Sequence, residues 1–101
     1  MGLKVKSKPA SRINEKVKEP EDYKVILLND NYTTMDFVVL VLMDIFHKNE
    51  AEANRIMLNV HKKGKGVAGV YTFDIAVTKT EHVHAIAKDM GFPLRCIIEP
   101  A

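Results

Sequence analysis

Cysteine is almost absent from this chain. Cys96 stands alone among 101 residues, so no intramolecular disulfide can staple the fold, and a reducing, cytoplasmic setting is expected. Set in an apolar strand, it reads as a small core hydrophobe. Long apolar runs are missing too, so nothing here spans a bilayer. The opening Met1-Gly2-Leu3-Lys4-Val5-Lys6 has neither the apolar stretch of a secretion signal nor the Ser or Thr that a myristoylation motif requires where Lys6 stands. An excess of one charge is also lacking. The formal net charge of +2 demands neither nucleic acid nor a membrane as partner, and the basic character gathers in Lys4, Lys6, Lys8, Arg12, Lys16 and Lys18 at the beginning.

Catalytic and metal-binding constellations are equally scarce. Ser7 and Ser11 lie in the basic beginning and Cys96 in an apolar strand, so no nucleophile has a visible base, and no enzyme is expected. His82-x-His84 does not make a metal site, because residues two apart on a helix point about 200° apart and no further ligand completes the set. Two surface histidines, no metal and no cofactor are expected. Lys62-Lys63-Gly64-Lys65-Gly66 places its lysines before its glycines, which fits a helix C-terminus with dipole-complementing cations better than a phosphate cradle.

What is present is a single-domain pattern, 47% hydrophobic and 28% charged. Residues 1 to 21 mix Lys, Glu, Ser and Pro with few large apolar side chains, and predict a mobile basic tail ahead of a core at 22–101. Tyr23-Lys24-Val25-Ile26-Leu27-Leu28 is rich in β-formers and predicts a strand. A helix is predicted from Thr34 to His47. Its apolar run is interrupted by Asp36, Asp44 and His47, so most of its circumference is expected to be covered. Asn49 with Glu52 predicts the cap of a second helix, whose stripe is Ala53, Ile56, Met57 and Val60 and whose stop is Gly64. Val67 to Tyr71 reads as a strand and Thr72 as the cap of a third helix with a buried stripe of Ala76, Val83, Ile86, Ala87 and Met90, ended by Gly91-Phe92-Pro93; Leu94 to Ile98 is the last strand. The order β-α-α-β-α-β predicts an α+β two-layer sandwich, a three-stranded antiparallel sheet packed on three helices.

The most informative stretch joins the first strand to the first helix: Asn29-Asp30-Asn31-Tyr32-Thr33-Thr34-Met35-Asp36-Phe37. Asn and Asp favour turns because their side chains bond nearby backbone, and Thr33-x-x-Asp36 imitates a capping box. Acceptor oxygens thus gather beside Met35, a flexible hydrophobe, which suits a cationic amine joined to an apolar side chain. His61 ends the stripe of the second helix at an edge of the core, where a partly buried structural histidine is the plain reading. Turn geometry alone would also explain Asn29 to Asn31, and core filling would explain Met35 and Met57.

Together, however, Tyr23 through Val38 closely resembles the signature of the ClpS adaptors of bacterial Clp proteases. Arg55-Ile56-Met57-Leu58-Asn59-Val60-His61 with Gly64, Gly69-Val70-Tyr71-Thr72 with Lys79, and Pro93-Leu94-Arg95-Cys96 through Glu99 follow in the family's order and spacing, so the resemblance covers roughly residues 22 to 100. It implies a non-enzymatic, monomeric adaptor that recognises proteins by a bulky hydrophobic N-terminal residue (Leu, Phe, Tyr or Trp). It would hand these N-degron substrates to the N-terminal domain of a ClpA-type AAA+ unfoldase. By the same resemblance Asn29, Asp30 and His61 would bind the substrate's α-amino group, directly or through water. Thr33, Met35, Val38, Met57, Val60 and Leu94 would line the side-chain pocket, and Tyr32, Asp74 and Lys79 would face the unfoldase. Asp74 stands where the family usually has Glu, Asn31 where it often has a second Asp, and Thr34 where it often has Pro. The alternative is a small ribosome- or RNA-associated α+β domain, suggested by the basic tail and by the family's likeness to the C-terminal domain of a ribosomal stalk protein. Against it, the folded part has no basic stripe with interleaved aromatics.

Overall fold

The computed structural model describes residues 20–101. The tail expected over residues 1–21 lies, except for its last two residues, outside the described residues. The elements are β1 (Asp22–Leu28), α1 (Met35–Asp44), α2 (Glu50–Lys63), β2 (Lys65–Thr72), α3 (Phe73–Met90) and β3 (Arg95–Pro100). The sheet order is β2-β1-β3, antiparallel throughout, with the helices against one face, as the sequence order predicts.

β1 is central because its side chains can be buried on both sides. Val25 and Leu27 face the helices and are fully buried, while Ile26, only 3% exposed, stands on the opposite face. Val25 pairs with Gly69 and Ile26 with Val67, so Ala68 is the extra residue of a bulge in β2. The Lys65-Gly66 pair, read with the end of the second helix and ahead of a strand starting at Val67, belongs to β2, since Gly66 pairs with Leu27 and a Cβ there would lie 2.9 Å from a methyl of Val60. Gly64 (φ 90°) and Gly91 (φ 80°) end α2 and α3 in the left-handed conformation, as their positions predict.

Three helix expectations need correction. α1 stops at Asp44 rather than His47 because His47 adopts φ 57°, and the Lys48 amide bonds the Leu42 carbonyl at 3.0 Å, a left-handed stop without glycine. α1 is also less covered than its apolar run implies. Phe37, Val38, Val41 and Leu42 are buried, but Leu40 is 48% and Met43 38% exposed. In α3, Ala76, Val83 and Ala87 are buried and Ile86 packs against the core, whereas Met90, in the last turn, is exposed. Thr72 holds the cap position of α3 without a side-chain cap bond.

α1 is held at its C-terminal end by α3. The Lys79 ammonium donates to the Ile45 carbonyl at 2.6 Å and lies 5.2 Å and 5.9 Å from the ring centres of Tyr71 and Phe46. Tyr71 folds back across Gly69, where a Cβ would collide with its ring and hydroxyl. His84 is not the plain surface histidine expected: its Nε2 accepts the Cys96 amide at 3.0 Å and ties α3 to β3. Burial pushes the Cys96 thiol up to about 12, consistent with an inert core position.

Candidate functional site

The β1–α1 loop is organised by one carboxylate. Asp30 Oδ1 accepts the backbone N–H groups of Tyr32 (2.8 Å) and Thr33 (2.7 Å), and Oδ2 accepts the Thr33 hydroxyl (2.7 Å). Partial burial raises the Asp30 pKa, but the bonds from Thr33 and Tyr32 outweigh it and hold the carboxyl below its ordinary value. Because Asp30 takes both donors of Thr33, the N-cap moves one residue on. Thr34 (φ −73°, ψ 151°) accepts the Phe37 amide at 3.1 Å, and the expected Thr33-x-x-Asp36 box does not form.

α2 supplies the opposite wall. Asn49 caps it at 2.8 Å through the Glu52 amide, and its last turns present Met57, Val60 and His61 to the loop. The Asn29 amide donates to the Gly64 carbonyl at 2.9 Å, joining the start of the loop to the end of α2. Between the two walls lies a cavity of about 390 Å³, near the lower end of the ~300–1,000 Å³ typical of small-ligand sites. Asn29, Asp30, Asn31 and His61 stand at its polar side; Met35, Val38, Met57 and Val60 supply its apolar side, with Thr33 and Thr34 between. His61 is exposed rather than partly buried, which leaves its ring free to meet a ligand.

The lining includes an ionised carboxylate and amide oxygens but no Lys or Arg. Such a cavity favours a small cation carrying an apolar group. Of the expected pocket residues, Thr33, Met35, Val38, Met57 and Val60 line the cavity, and Leu94, 3% exposed, packs in the core cluster that Val38 and Val60 also join. Tyr32 (77% exposed) stands at the cavity rim, Asp74 lies on a separate exposed groove with Tyr23 and Phe73, and Lys79 turns inward to Ile45. Asn31 and Thr34 join the lining as well, which the turn-rich sequence foreshadows without assigning a wall to either.

The model of a family described as "ATP-dependent Clp protease adaptor protein ClpS" matches residues 18–97. The chain belongs to the ClpS family. Adapter proteins of that name from Syntrophus aciditrophicus and Acetivibrio thermocellus are 61% and 59% identical over 85 and 87 residues. These alignments cover 84% and 86% of this chain and 79% and 88% of the relatives. The ClpS of Treponema denticola is 50% identical over 98% of both chains. A solved structure of Agrobacterium tumefaciens ClpS2 bound to L-phenylalaninamide superposes with a TM-score of 0.79 at 41% identity, covering 82% of this chain and all of that one. The protein is therefore a Clp protease adaptor and not an enzyme. Among the described residues no group of three His, Cys, Asp or Glu could hold a metal, and no helix is long and apolar enough to cross a membrane.

Proposed function

We propose that the cavity binds the free α-amino group and first side chain of proteins that begin with Leu, Phe, Tyr or Trp, and that the chain, as a cytoplasmic monomer, delivers them to a ClpA-type unfoldase. The observation that carries this reading is one cavity lined both by acceptor groups (Asn29, Asp30, Asn31, His61) and by apolar side chains (Met35, Val38, Met57, Val60), with no Lys or Arg among them. An α-ammonium offers three donors and no acceptor, and near neutral pH most N-terminal amines are charged. Asn29 Oδ1 and a neutral His61 nitrogen accept directly. Asp30 spends most of its lone pairs on the loop, so its negative charge acts from just behind them or through water. L-Phenylalaninamide, the ligand of the Agrobacterium relative, has the same two handles, a free amine and a bulky side chain.

Selectivity follows from requiring both halves. Seating a Leu or Phe side chain contributes about 1.5–3 kcal/mol, which alone gives weak binding, and an internal peptide N–H cannot satisfy several acceptors at once. The test is a set of peptides differing at the first residue, each paired with its N-acetylated form. Phe and Leu peptides bind, Ser and Gly peptides do not, and acetylation abolishes binding. Equal affinity of a Phe peptide and its acetylated form would sink the amine assignment. His61→Ala weakens binding of the free peptide.

A further inference from the structure

The described part of the chain is slightly acidic, with nine Lys and Arg against eleven Asp and Glu in residues 20–101. Yet three of those cations, Lys24, Lys63 and Lys65, converge on a second cavity of about 270 Å³. Its apolar floor is Ile26 and Val67, with the Asn59 amide on one side and Glu99 on the other. Among the described residues the one ion pair is Arg55–Glu52; Lys24 faces Glu99 across the β1–β3 ladder without forming one, and Lys63 and Lys65 pair with no described carboxylate. Three lysines against one glutamate leave a cationic excess, led by Lys63 and Lys65, beside the apolar Ile26 and Val67, which suits a carboxylate on a short aliphatic stem.

The two cavities are neighbours through the same two segments. The last turn of α2 gives Val60 and His61 to the first and Lys63 to the second, while β1 gives Ile26 to the second and its following loop gives Asn29 to the first. Three residues of strand span about 10 Å, so a chain passing over the α2–β2 turn needs about three or four extended residues to go from one cavity to the other. Resting on the amine-binding reading above, we propose that the substrate segment leaving the first cavity crosses this turn, and that an acidic residue about four or five positions from its N-terminus binds among Lys24, Lys63 and Lys65.

A nucleic-acid occupant is disfavoured on this face. The lining offers no aromatic ring for stacking, and Glu99 repels the repeated charges of a phosphate backbone more than it does a single carboxylate held at the Lys63 and Lys65 side. The carbonyl end of α2 also opposes an anion, so the gain comes from the flexible lysine heads and is modest.

The test uses the full chain and neutral Phe-started peptides in which a single Glu is walked from the second to the eighth position. At low salt the affinity peaks about threefold to tenfold above the Glu-free parent at the fourth or fifth position. The peak vanishes in the Lys63→Glu, Lys65→Glu double variant and returns there when the peptide carries Lys instead of Glu. A profile flat with position, or one unchanged in the double variant, overturns the proposal while the acetylation control still supports the first cavity. Failure of the Glu-free parent itself to bind removes both. A single-stranded oligonucleotide that binds the wild type, loses binding in the double variant and displaces the Glu peptide would reassign the cavity to phosphate.

Discussion

The two ends of α1 are secured in opposite ways. At the N-terminal end the side-chain hydrogen bonds are local: Asp30 to Tyr32 and Thr33, then Thr34 to Phe37, all within three residues. At the C-terminal end the decisive contact comes from Lys79, thirty-four residues away, which meets the Ile45 carbonyl beneath two aromatic rings. The local end borders the cavity and the distant end does not. The shape of the loop wall is thus written into one short segment, whereas the far end of α1 depends on a contact that closes late in the chain.

The sharpest way to break the contrast is to remove the local organiser. Asp30→Ala deletes three accepted bonds and the negative charge, and its affinity for a Phe-started peptide falls by about tenfold to a hundredfold. Asp30→Asn keeps Oδ1 for the two backbone donors, so isothermal titration of both variants separates loop order from charge. If Ala and Asn lose affinity equally, charge is the whole contribution. At the other end, Lys79→Met keeps the stem over Phe46 and Tyr71 but leaves the Ile45 carbonyl unpartnered. This costs about 1–3 kcal/mol of stability in denaturant titration with little change in peptide affinity. A large affinity loss at preserved stability would instead mean that the ends are coupled.

Smaller effects sharpen the same division. Thr34→Ala removes the cap of α1 and costs about 1 kcal/mol of stability, and being adjacent to Met35 it also weakens binding slightly. Acid acts more gently still. The folded Asp30 carboxyl is held below its unfolded value, so its contribution to stability is complete above about pH 4 and is lost as pH falls through the lower, folded pKa. Urea midpoints measured from pH 5 downward decline less steeply in Asp30→Asn than in wild type. Parallel declines would show that other carboxylates govern acid unfolding.

The same division explains what the sequence made legible. Element order, the caps at Asn49, Gly64 and Gly91, and the acceptor-rich loop follow from neighbours within a few positions, and they were readable. The cap of α1 was misplaced by one residue because Thr33 and Thr34 are chemically alike, and which of them Asp30 captures is a matter of loop geometry. His47 gave no stop signal, since nothing in its type announces a left-handed backbone. Lys79 and His84 were unreadable as braces because their partners, Ile45 and the Cys96 amide, are placed by tertiary packing. Leu94, placed on the pocket wall by the resemblance, is buried in the cluster it shares with Val38 and Val60, a packing that its isolated position after Pro93 does not announce.

The hydrogen bond from the Asn29 amide to the Gly64 carbonyl makes this one proton a natural gauge of the site. The groups proposed to receive the amine, on Asn29 and His61, come from stretches far apart in sequence, and this bond is where those stretches touch. Loosening of either wall exposes that amide to solvent, and a ligand that bridges the walls shields it. Its exchange with deuterium, followed by NMR, therefore reports the integrity of the gap between loop and helix in the intact molecule, with no label attached to substrate or adaptor.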